Sequence, residues 1–165
     1  MDKPMAWLPA AVPADDGRVS VVHGDFSFHN LLINPANGQV TAVIDWELST
    51  LGHPMGDLSY HMMEWYRPEG IDIRGTLRGK DLKAMGVPTL EEYVASYAER
   101  SGFVAMEMLP FYRAFNLFRV AAILQGVAHR ATTGNAAASN AVELGNRVRP
   151  LAIAAWHEAQ EAGAA

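Results

Sequence analysis

Four residues, Pro35-Ala36-Asn37-Gly38, constrain this chain more than any other segment. They stand between two apolar runs, Leu31–Asn34 and Val40–Ile44. Asn-Gly between such runs is the strongest short-range hairpin signal a sequence can carry. A two-residue turn at Asn37-Gly38 sets Asn30 opposite Asp45, with Cβ atoms roughly 5 Å apart. Pro35 leaves room for a wider turn, so this register is an expectation from the turn alone. A third β-branched run, Val19–Val22, precedes the hairpin.

After Asp57 the pattern becomes helical. Leu58 to Tyr66 reads as a helix, and residues 67–79 as a Gly-, Pro- and Arg-bearing loop. Thr89 and Glu92 have the spacing of a capping box, opening a helix that runs to about Ser101 and stops at Gly102. A long helix is expected from about Glu107 to Thr132, ending near Gly134. A last one is expected from about Ala137 to Glu161, with Pro150 as a kink or break. Residues 1–19 read as a lead-in broken by Pro4, Pro9 and Pro13, with a turn at Asp15-Asp16-Gly17. Trp7 and Leu8 imply that this segment packs on something. The fold class is therefore α+β, a small β part over 20–57 feeding a mostly helical part over 58–165.

At 165 residues, half of them hydrophobic and 19% charged, the chain suits one domain with a core. It lacks cysteine, which removes disulfides, thiolate metal sites and Cys nucleophiles together. A reducing, cytoplasmic setting is the expectation. The net charge of −5 is uneven: residues 1–57 carry seven acidic and two basic side chains, residues 58–165 eleven of each. Neither a nucleic acid nor an anionic membrane is an expected partner of such a surface. No apolar run is long enough to span a bilayer.

Chemistry concentrates in His23-Gly24-Asp25-Phe26-Ser27-Phe28-His29-Asn30, a loop at a strand end. Asp25 and Asn30 have the spacing of a kinase catalytic loop, where Asp takes the substrate hydroxyl proton and Asn holds Mg²⁺. Asp45, at the end of the next strand but one, supplies a second oxygen donor. A carboxylate and an amide oxygen so placed suit a hard cation. Glu47 lies beside them, either supporting the site or simply solvated, and counts among the substrate candidates. Arg113, Asn116 and Arg119 recur three apart in an apolar helix, where such groups pair internally or meet an anionic substrate group. Tyr60, His61, Glu64 and Trp65 fall on the helix after Asp57, where core or surface roles are favoured and lining the same cleft is the alternative.

His23-Gly24-Asp25 with Asn30, Ile44-Asp45-Trp46-Glu47, and Gly52-His53-Pro54-Met55-Gly56-Asp57-Leu58 together resemble the aminoglycoside phosphotransferase-like kinases. Ile44 to Gly52 and Phe111 to Arg119 are most similar to the kinase-like domains related to acyl-CoA dehydrogenase family members. The resemblance runs from about Trp7 to about Trp156. It implies the mostly helical C-terminal lobe of a protein-kinase-like fold, with ATP and Mg²⁺ as cofactors and a small-molecule hydroxyl as acceptor. It makes Asp25 the catalytic base and Asn30 and Asp45 the Mg²⁺ and nucleotide ligands. By the same resemblance His23 braces the loop and Asp57 holds its backbone. His53 stands where the family usually has Asp.

Two parts of a kinase are absent from the sequence. None of the fourteen glycines are spaced Gly-x-Gly, and Lys3, Lys80 and Lys83 lie on no β-branched strand. Gly75 to Lys80 imitates a P-loop but has one residue too few. The expectation is a C-terminal lobe whose N-terminal lobe is missing upstream of residues 1–19, with weak or no turnover alone. That lobe comes in cis, or the uncovered face leads to a homo-oligomer. The neutral charge of 58–165 favours a hydroxyacyl-type acceptor over a polycationic aminoglycoside. The alternatives are a catalytically silent binding or scaffolding lobe, and a metal-dependent hydrolase using His23, Asp25 and His29.

Overall fold

The computed structural model describes residues 1–71, 75–103, 106–132 and 141–165. In chain order they form α1 (Asp2–Trp7), β1 (Ser20–Val22), β2 (Leu31–Ile33), β3 (Val40–Val43) and β4 (Thr50–Gly52). The helices α2 (Met55–His61), α3 (Met63–Tyr66), α4 (Leu82–Met85), α5 (Leu90–Ser101), α6 (Leu109–Thr132) and α7 (Ala141–Glu161) follow. Single 3-10 turns lie at Leu8–Ala10, Phe28–Asn30, Trp46–Leu48 and Met106–Met108. None of the helices is long and apolar enough to cross a membrane, among the described residues.

The lead-in is helical where a broken segment was expected. Pro4 falls in the first turn of α1, where an N–H has no intrahelical partner, so proline costs nothing there. Pro4 and Leu8 are buried. Trp7 meets Phe111 at 5.9 Å between ring centroids, and the Lys3 ammonium sits 4.9 Å from the Trp156 ring. The segment therefore does pack, against α6 and α7.

The hairpin forms in a different register from that of a two-residue turn. Asn34 N–H bonds to the Gln39 carbonyl at 2.8 Å, and the Gly38 N–H bonds back to the Asn34 carbonyl at 2.8 Å. The loop is thus the four residues 35–38. Asx-type bonds from Ala36 N–H to Asn34 Oδ1 (2.9 Å) and from Gln39 N–H to Asn37 Oδ1 (3.0 Å) hold it. Pro35, with no N–H and a fixed φ, suits this wider loop. An irregularity between Leu32 and Ile33 follows, and the ladder then pairs Leu31 with Val43. The Asn30 carbonyl accepts from Ile44 N–H at 2.9 Å, so Asn30 faces Ile44, not Asp45. Asp45 is the next residue along.

A second ribbon pairs β1 with β4, Ser20 opposite Gly52 and Val22 opposite Thr50. It closes the segment 23–49 into one unit, with the loop after β1 and the turn after β3 at the same end. Beyond it, α2 and α3 bury Met55, Leu58, Met62, Met63, Trp65 and Tyr66 against Val94, Leu117, Ala121, Leu151 and Ala155. α6 and α7 pack along one another, and a Cβ on Gly145 would stand 3.1 Å from the Ala128 Cβ. α7 continues through Pro150 without a break. Thr89 and Glu92 complete the capping box of α5, and Gly102 closes it in the left-handed conformation. The expected helix boundaries at Gly134 and Ala137 lie outside the described residues.

Candidate active site

The loop after β1 is held atom by atom. Asp57, in the first turn of α2, reaches back to two consecutive amides: His23 N–H donates to Oδ2 at 2.5 Å and Gly24 N–H to Oδ1 at 2.9 Å. Gly24 has φ +83°, and a Cβ there would stand 2.5 Å from the Leu48 carbonyl oxygen. Only glycine fits. The Asp25 N–H donates to His23 Nδ1 at 3.2 Å, which leaves the imidazole proton on Nε2, facing the Ile44 carbonyl at 2.8 Å. The His23 ring is 2% exposed and lies 4.7 Å from the Trp46 ring. His23 thus joins the loop to the end of the hairpin.

Asp25 and Asn30 come together. The Asn30 amide nitrogen donates to the Asp25 carbonyl at 2.8 Å and to Asp25 Oδ2 at 3.1 Å. Asn30 is buried, Asp25 a quarter exposed at its side chain. Ser27 donates from Oγ to the Asp25 carbonyl at 3.3 Å and bonds the His29 ring at 3.0 Å. His29 Nε2 stands 4.0 Å from Asp25 Oδ2. Asp45 is the sole non-glycine residue with positive φ (69°) among those described, and it is exposed. Aspartate tolerates this conformation better than most residues, and a residue held there at a strand end is a frequent mark of a functional position. Glu47 is exposed on the following 3-10 turn.

The donors available for an ion are oxygens. Both amide-nitrogen bonds of Asn30 go to Asp25, so its Oδ1 is the atom left to ligate; Asp45 adds a carboxylate. This set fits Mg²⁺, which binds through one or two protein oxygens and keeps waters or phosphate oxygens for the rest. Among the described residues no group of three or more His, Asp or Glu is placed to hold a metal. The His23–Asp25–His29 site of a metallohydrolase is therefore corrected: both His23 ring nitrogens are engaged by the backbone.

The expected substrate anchors on α6 are engaged inside the protein. Arg113 pairs with Glu158 at 2.8 Å and lies over the Tyr66 ring at 4.8 Å. Burial raises the Glu158 carboxyl, opposed by Arg113, and raises the Tyr66 hydroxyl. Asn116, fully buried, donates to Ser59 Oγ at 2.7 Å and to the Gly56 carbonyl at 3.3 Å. Arg119 donates to the Gly24 carbonyl. His53 stacks on Tyr112 at 5.6 Å and stands 3.4 Å from Asp16 Oδ1, tying the lead-in to the end of β4. The Asp16 carboxyl is lowered by its bond from the Arg18 N–H and then by His53.

A cavity of about 980 Å³ opens beside the loop, lined by Phe28, His29, Trp65, Leu77, Met85 and Tyr93 among others. Glu64 and Lys80 also line it, and Glu64 is paired with Arg67 at 2.7 Å. Residues 75–88 carry more than half of this wall. Their contribution was not legible beforehand, because a loop held by a few bonds such as Trp65 Nε1–H to the Pro88 carbonyl (2.9 Å) shows no periodicity.

A family model described as "Phosphotransferase enzyme family" matches residues 1–103. Acyl-CoA dehydrogenase family member 10 of Mus musculus is 40% identical over 163 residues, 99% of this chain and 15% of that protein. Acyl-CoA dehydrogenase family member 11 of Homo sapiens is 34% identical over 149 residues, 88% of this chain and 19% of that protein. The crystal structure of a presumed aminoglycoside phosphotransferase from Ralstonia eutropha JMP134 matches with a TM-score of 0.89 and 43% identity. That match covers 97% of this chain and 48% of the other. The chain thus spans under a fifth of these curated relatives and about half of the solved neighbour.

Proposed function

The chain belongs to the phosphotransferase enzyme family and has an α+β, protein-kinase-like fold, and on that premise we propose that it is the catalytic and acceptor lobe of a Mg²⁺- and ATP-dependent small-molecule kinase. The observation that carries this reading is the Asp25–Asn30 pair on a loop whose backbone is bonded at every residue from 23 to 25. Phosphoryl transfer asks a protein mainly for positioning and charge, which such a loop supports.

In this reading Asp25 takes the proton of the acceptor hydroxyl, and Asn30 keeps its carboxylate turned toward the cleft. His23 and Asp57 hold the loop; Asn30 Oδ1 and Asp45 hold the ion. Mg²⁺, when bound, supplies neutralisation of the charge on the transferring phosphoryl oxygens. A further lobe, supplied in cis, covers the nucleotide phosphates, so the chain alone turns over weakly.

The acceptor's body occupies the cavity beside His29. Its walls are mostly aromatic and aliphatic, and burying apolar surface there is favourable while desolvating several ammonium groups is not. The neutral helical region points the same way. A hydroxyacyl-type acceptor is therefore favoured over an aminoglycoside.

The test joins the chain to a nucleotide-covering lobe and follows phosphate transfer from ATP to a hydroxyacyl thioester by mass. Asp25→Asn lowers kcat by about a thousandfold. Phosphorylation of an aminoglycoside but not of the thioester overturns the acceptor. No Mg²⁺-dependent transfer to any alcohol favours a silent binding lobe instead.

A further inference from the structure

The three backbone N–H groups of residues 23–25 find their acceptors nearby in the chain or on α2, and the Asp25 carbonyl finds its donors on Ser27 and Asn30. A further bond on this stretch comes from elsewhere. The Gly24 carbonyl accepts from Arg119 Nη2, reaching over from α6, 95 residues away in sequence. Gly24 is therefore gripped on both sides of its Cα, its N–H by Asp57 and its carbonyl by Arg119. The Leu48 carbonyl lies against the place a side chain would take. The Arg119 guanidinium also lies over the Tyr60 ring, 4.9 Å from its centroid. A planar cation stacked on a ring presents its N–H groups along the edge, toward the carbonyl, which a lysine ammonium does not reproduce.

The same helix holds the other grip. Asn116, one turn before Arg119, bonds Ser59 and the Gly56 carbonyl on either side of Asp57. α6 thus reaches the loop twice, once directly and once through the element that carries Asp57.

We infer that Arg119 is a positioning residue for Asp25, fixing the peptide that precedes it and coupling the loop to the helical part. This rests on the phosphotransfer reading for its consequence, but not for its measurement. It replaces the substrate-anchoring role that the sequence alone suggested for Arg119. A hydrogen bond to a charged donor is worth enough that its loss opens a loop about tenfold or more often.

The test is residue-resolved amide hydrogen exchange on the 165-residue chain, which needs no turnover. Arg119→Gln speeds exchange at the Gly24 and Asp25 amides about tenfold or more, with α5 and α7 unchanged. Arg119→Lys recovers part of the protection, and Tyr60→Leu, which keeps the cation but frees its plane, gives a smaller rise. Should Arg119→Gln fail to fold, the Lys and Leu variants decide between the same two results. Unchanged exchange at 24 and 25, or an equal rise throughout the molecule, overturns the assignment. In the lobe-completed enzyme Arg119→Lys lowers kcat and leaves the acceptor KM unchanged. A KM effect with kcat intact means Arg119 binds acceptor and overturns it. A loop that loosens in a protein without any phosphotransfer refutes the function and leaves the anchoring standing.

Discussion

At the scale of single residues the loop tolerates little. Gly24 combines positive φ with a carbonyl oxygen where its Cβ would lie. Gly24→Ala is expected to cost about 2 kcal/mol or more in denaturant unfolding and to remove phosphotransfer with it. A near-wild-type unfolding midpoint would show that the loop relaxes freely. Spacing, the hairpin turn and the family resemblance singled out Asp25, Asn30 and Asp45 as candidates. Their contacts were not legible. The hairpin register slipped because Pro35 favours a four-residue loop, so Asn30 faces Ile44. Arg113, Asn116 and Arg119 stood out correctly as polar groups in an apolar helix. A sequence does not say which way a helix turns its polar face, and all three are engaged by the protein.

The elements follow local rules more closely. α5 begins and ends where Thr89, Glu92 and Gly102 dictate, and Thr89→Ala is expected to cost about 1 kcal/mol, read from the same unfolding midpoint. β4 and α4 were not anticipated, each being too short to show a period. α2 carries a pH response. His61 is buried among Phe26, Phe28 and Tyr93, and burial lowers its pKa from 6.5 to about 4. Its folded form stays neutral while the unfolded form takes a proton, so this stability is full above pH 6.5 and falls as pH drops toward 4. At pH 5 the loss is about 2 kcal/mol. In His61→Phe the difference between urea midpoints at pH 7 and pH 5 shrinks accordingly; an unchanged difference means other groups carry the acid response.

At the scale of the whole molecule, apolar surface collects on the β part. Val21 and Leu51, opposite one another across β1 and β4, are 67% and 70% exposed. Leu48, Val40, Ile33 and Trp46 lie exposed in the same third of the chain. Exposed apolar side chains in such number suit contact with a further lobe or a second copy. Replacing Val21 and Leu51 with Thr is expected to lower dye binding to apolar surface while shifting the melting temperature little. A large fall in melting temperature would mean the pair supports the fold itself. The central claim is that Asn30 and Asp45 present oxygens to a divalent ion beside Asp25. Mn²⁺ in place of Mg²⁺, titrated with ADP and followed by NMR line broadening, tests it most directly. The account predicts early broadening of the Asn30 side-chain amide and of the Asp25 and Asp45 amides, lost in Asp45→Asn. Broadening centred elsewhere, or unaffected by that substitution, would contradict it.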